Sequence, residues 1–424
     1  MESKRYNEFE FDNGLSVTLQ KTTARTISGN LRVNFGGIHE QKGEEGLAHF
    51  LEHAIMSAGT KKWSPEKHSE KRAELGLTNA KTALDETNFD MKILEDDFKK
   101  GLEFLSESVF NPQFSREIIE VQKEIILREI SGHKSSPNFQ DVQKFRKALY
   151  RNHPINYNTL GNEDVIKNAK SEDLINLYTK GYGSSNIDMI FTGNIPENAE
   201  ELVRQYFEKY SRGISTRVKF PKLLPLTERT IINSHAEDLL NKSNFEKSSA
   251  GIYLGFVVPS NESPESETTG IINGILGSNG NSRLYRKLRA EKGLTYHISS
   301  NYEGECNSGA IFIETKIFPK RIESTIKSIF EQLKRLREEK VDDQEIERLR
   351  RSIKFNLASA LDNNPIGVIK LERDKGVSCD ELCKRYDLVT PKDVRDIAQR
   401  YFPSGPDDEN YVLAIRNPLL NQSK

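Results

Sequence analysis

The order of apolar and polar positions divides the chain into strand-like and helix-like stretches before any chemistry is considered. Residues 7–20 alternate (Phe9, Phe11, then Leu15, Val17, Leu19) around Asp12-Asn13-Gly14, which predicts a β-hairpin with Asn-Gly as its turn. Residues 28–36 read as a further strand, closed by Gly36-Gly37. A helical signal begins after Gly43, with Glu44 and Glu45 in a first turn where the helix dipole favours acids. It runs through Leu47, Phe50, Leu51 and Ile55 to about Met56, and Gly59 follows as a stop. Pro65 and Gly76 bracket a charged helix over 65–75, and strands follow at 78–82 and 88–94. Apolar residues spaced three and four apart predict helices over 96–110 and 115–130, with more helices at 139–150, 171–182 and 196–210. A strand at 187–191 separates the last two, and residues 211–228, with Pro221 and Pro225, read as a linker.

The second half repeats the first in outline. The run from Met91 to Ile118 reads strand, acidic turn, helix, turn, long helix, and the run from Thr315 to Ile346 reads the same way. A period of roughly 225 residues marks a duplicated domain and not a solenoid. Mixed strands and helices with hairpin-type connections predict an α+β fold of two similar domains, each a mostly antiparallel sheet packed with helices. The expected boundaries are 1–212, a linker at 213–228, and 229–424.

Composition narrows the function classes. The 424 residues carry a formal net charge of −1, with 29% charged and 35% hydrophobic residues. That balance shows no global bias towards nucleic acid or an anionic membrane. No run approaches the ~18 apolar residues of a membrane span. The segment after Met1 has no apolar core or transit pattern, so the cytoplasm is the expected compartment. Three cysteines (Cys306, Cys379, Cys383) are too few for a disulfide framework, and Cys379 and Cys383 read as packing or surface thiols.

The candidate chemistry lies in Gly46-Leu47-Ala48-His49-Phe50-Leu51-Glu52-His53. On a helix His49 and His53 share one face a turn apart, a spacing at which two neutral imidazoles can hold one Zn²⁺. Glu52 projects towards the same edge, where it can take a proton from water. The order is H-x-x-E-H, the mirror of the commoner H-E-x-x-H. A catalytic zinc usually takes three protein ligands. Glu129, within Ile125-Ile126-Leu127-Arg128-Glu129-Ile130, is the candidate for the third, because a carboxylate in an apolar run is costly unless paired or metal-bound. Taken alone, Glu129 also fits a solvated position or an arginine partner, and the motif alone also fits a pair of core histidines. The Gly-rich run 276–282 lacks the residues of a phosphate loop and reads as a flexible loop before a helix at 282–291. His39, His68, His133, His153, His235 and His297 carry no ligand spacing and read as surface or structural residues.

These residues resemble the pitrilysin/insulinase-type inverted-zincin peptidases, in particular the short members similar to mitochondrial processing peptidase. Glu129 follows His53 by 76 residues (129 minus 53), as the third ligand does in that family, in a matching Ile125-Ile126-Leu127-Arg128-Glu129 context. Gly36-Gly37, Gly59-Thr60, Leu160-Gly161, Gly193-Asn194, Ser282-Arg283-Leu284-Tyr285 and Leu288-Arg289 with Gly293-Leu294 also match, so the resemblance spans nearly the whole chain. It implies that Arg289 and Tyr296 are lent by the second domain to steady an oxyanion, and that Asn79, Ala80 and Thr82 belong to an edge strand to which substrate adds. Two departures stand out. Gln122 occupies the place of a second glutamate, with Glu124 as the substitute carboxylate in sequence, and Asp85-Glu86-Thr87 replaces Glu-His-Thr.

The expectation is therefore a zinc endopeptidase whose two domains close like a clamshell around an unfolded peptide. One Zn²⁺ per chain would sit on His49, His53 and Glu129, with Glu52 as general base. The family implies a dimer, either a homodimer or a pairing with a paralogous subunit. The alternatives are a non-catalytic scaffold or partner subunit, and a maturation peptidase dedicated to one precursor. The retained ligands, Glu52, Arg289 and Tyr296 favour an enzyme.

Overall fold

The computed structural model describes residues 5–136, 139–234, 249–278, 280–305 and 307–418. Cys306, His235 and Asn279 of the Gly-rich run lie outside the described residues. Two compact units form. The first holds the chain up to His133, Tyr157–Val218 and Asn364–Lys370; the second holds Lys134–Asn156, Lys219–Asn363 and the chain from Leu371.

The first unit contains β1 (Asn7–Glu10), β2 (Ser16–Lys21), β3 (Thr26–Val33), β4 (Leu77–Thr82), β5 (Thr87–Leu94) and β6 (Ile187–Gly193). They form one sheet in the order β1-β2-β6-β3-β5-β4, in which only the β2–β6 pair is parallel. The predicted hairpin joins β1 and β2, but through a different turn. Gly14 donates to the Phe11 carbonyl (2.8 Å) and takes φ +82, while Asn13 keeps a negative φ. The loop is thus a three-residue turn with a glycine in the left-handed position, not a two-residue Asn-Gly turn.

Helices α1 (Leu47–Ser57), α2 (Pro65–Leu75), α3 (Phe98–Phe110), α4 (Arg116–Lys134), α6 (Glu163–Asn168), α7 (Ser171–Gly181) and α8 (Ala199–Phe207) accompany that sheet; α5 (Phe139–Tyr150) belongs to the second unit. The short α6 has no counterpart in the sequence-based expectations. The predicted helix at 196–210 shortens to α8, because Asn198 ends the preceding turn at its start. The apolar faces of β2, β3, β5 and β6 meet Leu47, Phe50, Leu51, Ala54 and Ile55 of α1 in one continuous core.

His68 of α2 lies in that core, 1% exposed, with its ring 4.9 Å from Phe104 and its Nε2 2.7 Å from the Ser108 Oγ. Burial, helped by the Arg72 charge, pushes its pKa down to about 4. The unfolded chain takes up this proton near pH 6.5, so acidification between those values favours unfolding, by up to about 3 kcal/mol. The stability gap between wild type and His68→Gln, measured by denaturant titration in chelator, is expected to narrow as pH falls from 6.5 to 4. A constant gap would contradict this account.

The second unit repeats the plan. Its strands are β7 (Thr230–Ser234), β8 (Ala250–Val257), β9 (Thr295–Glu303), β10 (Ala310–Ile317) and β11 (Val412–Arg416), in the order β7-β11-β8-β10-β9. Again one pair, β7–β11, is parallel and the rest antiparallel. Apart from β1, the two sheets share order and polarity strand for strand, which is the signature of an internal duplication. Helices α9 (Ser266–Gly277), α10 (Ile322–Glu338), α11 (Asp343–Asn363), α13 (Cys379–Asp387) and α14 (Pro391–Tyr401) build its core with the sheet. α9 occupies the place of α1 without its histidines. The opposite face of this sheet is covered by α5, whose Phe145, Leu149 and Tyr150 bury against Tyr253, Val257, Ala310 and Val412. Conversely, α12 (Pro365–Lys375) starts in the first unit, where the Lys370 Nζ donates to the Asn88 Oδ1 at 2.6 Å.

Candidate metal centre

α1 is apolar on almost every side: Leu47, Ala48, Phe50, Leu51, Ala54, Ile55 and Met56 are all buried. This fixes the helix in the core and leaves His49 and His53 at its half-buried edge. The start of the helix differs from expectation. Glu44 and Glu45 precede the first turn, and the acid that caps α1 is Glu40, whose carboxylate accepts from the backbone N–H of Gly46 (2.8 Å) and Ala48 (2.5 Å) and from the Tyr157 hydroxyl. Burial pushes the Glu40 pKa up to about 7 against these bonds, which lower it. Gly46, at φ +96, lies against Gly161 so closely that a Cβ on Gly161 would come 2.3 Å from the Gly46 Cα. Only glycines let the 157–161 loop seat against the helix start.

The His49 and His53 rings stand edge-on, 4.7 Å apart at 86°. α4 brings Glu129 to them: its Oε2 lies 3.8 Å from the Nε2 of each histidine. Glu129 is not deep in the apolar run that suggested it. Ile126 and Ile130 are buried, whereas the Glu129 side chain is 37% exposed on the flank facing the histidines. One donor atom from each residue lies within 4.8 Å of the others, and no other such group of His, Cys, Asp or Glu forms among the described residues. Ligand atoms of a tetrahedral Zn²⁺ lie roughly 3.3 Å apart for bonds of about 2.0–2.1 Å. The Glu129 oxygen is too far from either nitrogen to hydrogen-bond, and its distance to each is slightly wider than in a coordinated set. Two imidazoles and a carboxylate in this arrangement fit a zinc ion.

The electrostatics agree with that donor set. Burial first, then the neighbouring His53 charge, pushes the His49 pKa down to about 4, and the attraction of Glu129 offsets this only in part. His49 therefore meets a metal as a neutral imidazole at ordinary pH. His53 Nδ1 lies 3.4 Å from the Oε1 of the buried Gln122. With Nδ1 protonated and donating to that oxygen, the Nε2 lone pair is left for the metal. Gln122 thus supplies the acceptor through an amide, without a carboxylate's charge. Gln122→Leu is expected to weaken zinc binding about ten-fold, read by competition with a chromophoric chelator; unchanged affinity would contradict the role.

Glu52 is buried, and Thr82 on β4 donates its hydroxyl to the Glu52 Oε2 at 3.0 Å. Burial raises the Glu52 pKa above the usual carboxylate range, while His53 and the Thr82 bonds pull it back. A carboxyl made more basic in this way is better suited to take a proton from water than an exposed one. Thr82, expected on a substrate strand, therefore touches Glu52 directly. Asn79 and Ala80 share its strand, and β4 is the last strand of its sheet. In the second unit the expected helix over 282–291 proves to be a π-helix, Tyr285–Glu291. It carries Arg289, whose guanidinium carbon lies 4.9 Å from the ring centre of Tyr296 on β9. Sequence reasoning did not single out Glu40 or Tyr157, whose contact with each other is reached only through the fold.

Comparison with known proteins places this geometry. Residues 16–163 match the family described as Insulinase (Peptidase family M16), and residues 168–353 match its companion, described as Peptidase M16 inactive domain. The chain belongs to the M16 peptidase family. The division agrees with the metal cluster lying, among the described residues, on the first half. Among M16 relatives, an uncharacterized zinc protease of Bacillus subtilis, YmxG, is 24% identical over 99% of both chains. Another named zinc protease, from Rickettsia bellii, is 26% identical over 95% of this chain and 96% of its own. A protease from Helicobacter pylori superposes with a TM-score of 0.84 at 18% identity, covering 97% of this chain and 99% of that one. The periplasmic protease PqqL from Escherichia coli gives 0.80 at 15% identity over 99% of this chain but 48% of its own. At these identities the structural likeness establishes the M16 fold. No described helix is long and apolar enough to cross a membrane.

Proposed function

We propose that the protein is a zinc-dependent endopeptidase acting on unfolded peptides or short protein segments. The reading is carried by one observation: His49, His53 and Glu129 converge while Glu52, on the same helix, is held beside them by Thr82. A Zn²⁺ on those three residues supplies a Lewis acid for the scissile carbonyl and for water. Glu52 takes the proton of the attacking water and delivers it to the leaving amine. Thr82 keeps the Glu52 carboxylate aimed, and the apolar body of α1 keeps both histidines from rotating away. The resemblance adds Arg289 and Tyr296 as the groups that steady the developing oxyanion, and Asn79, Ala80 and Thr82 as a strand edge for the substrate backbone.

A dimer belongs to the same proposal. The chain matches about half of PqqL, and a second copy or a paralogue would supply the remainder. The cytoplasm remains the proposed compartment. The scaffold reading would lead one to expect lost ligands, whereas the full set is retained.

Purified protein incubated with a mixture of unfolded peptides, with products identified by mass spectrometry, tests the reading. Internal cleavage that a chelator stops and zinc restores is expected. One zinc per chain with no cleavage by the homodimer or by a reconstituted pair would overturn it.

A further inference from the structure

Of the five cations within residues 283–292, four are paired with carboxylates. Arg283 lies 2.8 Å from Glu345, Arg286 3.8 Å from the same carboxylate, Lys287 2.7 Å from Glu291 and Lys292 3.6 Å from Glu331. Arg289 has no carboxylate at ion-pair distance among the described residues. Its guanidinium is held by two aromatic faces, with its carbon 4.9 Å from the ring centre of Tyr285 and 4.9 Å from that of Tyr296. The two rings differ in anchorage. Tyr296 is 75% exposed, whereas Tyr285 packs on the apolar core of the second unit.

The local backbone brings this about. Leu284 and Leu288 are fully buried and pin the helix, and the Lys292 N–H reaches back five residues to the Lys287 carbonyl at 3.2 Å. Single π-turns of this kind recur at functional sites. An arginine stacked between rings keeps its charge and its N–H edge while losing rotamer freedom.

We infer that Tyr285 is a positioning residue: its core-anchored ring clamps the Arg289 guanidinium against Tyr296, so that an unpaired cation is held ready for the oxyanion of the reaction. The inference rests on the proposed peptidase reading and on the Arg289 role within it. Tyr285 touches no reacting atom; it acts through Arg289.

The test is a double-mutant cycle on the zinc-loaded full chain with one peptide substrate, following kcat and KM separately, with zinc content and thermal melting measured on each variant. Tyr285→Leu is expected to lower kcat about ten-fold at unchanged zinc content. Tyr285→Phe, which keeps the ring, is expected to stay within about three-fold of wild type. Tyr285→Leu added to Arg289→Ala is expected to cost nothing further. Independent, multiplying losses from the two substitutions would overturn the clamp, as would a Tyr285→Phe variant as slow as Tyr285→Leu. An Arg289→Ala variant with full activity would overturn it too, while leaving the zinc-peptidase reading intact. Absence of cleavage by the wild type would instead count against that reading itself.

Discussion

Glu52→Gln is expected to keep zinc bound and to lower kcat for peptide cleavage about a thousand-fold. The amide has the shape of the carboxylate and its oxygen can still accept the Thr82 hydroxyl, so neither α1 nor the ligand set is disturbed. What it lacks is basicity: it cannot take a proton from water or return one to a leaving amine. Because Glu52 is 7% exposed and its charged form is disfavoured by that burial, exchanging it for a neutral amide should not lower the melting temperature. The check is a set of three readings on one sample: zinc per chain, melting temperature and kcat. A variant that binds zinc, melts like wild type and still cleaves at the wild-type rate would remove Glu52 from the mechanism.

The second large effect concerns the ligands. His53→Ala is expected to weaken zinc affinity by more than a hundred-fold, and Glu129→Gln by less, since its amide oxygen keeps a lone pair but gives up the charge. Affinity is also stability here. A ligand present at about a hundred times its dissociation constant stabilises the folded chain by about 2.7 kcal/mol. Zinc should therefore raise the melting temperature of wild type by several degrees and leave that of His53→Ala unmoved. His49 offers no proton to displace at neutral pH, because burial and His53 hold its pKa near 4. An equal zinc-induced shift in wild type and His53→Ala would place the ion elsewhere.

The parts of this account that could be read from sequence are those whose partners lie within a turn or two. The H-x-x-E-H helix is legible because its apolar residues surround the histidines at helical spacing, and α4 because Ile119, Ile126 and Ile130 recur on one face. The duplication is legible because the strand-turn-helix-helix order recurs after Thr315. Apart from Glu129, which the family resemblance supplies, contacts that depend on distant chain segments are not legible. Glu40 caps α1 only because the 157–161 loop brings Tyr157 to it, whereas Glu44 and Glu45 had the better sequence position. The stripe of Phe145, Leu149 and Tyr150 announces a buried face without naming the sheet, and that sheet is formed by strands about a hundred residues further on or more. A π-turn has no periodic signature over seven residues, so the sequence around Tyr285 and Arg289 reads as an ordinary helix. The motif suggested zinc; only the fold shows the three donor atoms converging.

Anomalous scattering at the zinc absorption edge, from crystals grown with one equivalent of zinc, tests the central claim most directly. One peak is expected per chain, at about 2.1 Å from the Nε2 atoms of His49 and His53 and from a Glu129 carboxylate oxygen. A peak at any other residues, or none at these three in protein that cleaves peptides, would contradict it.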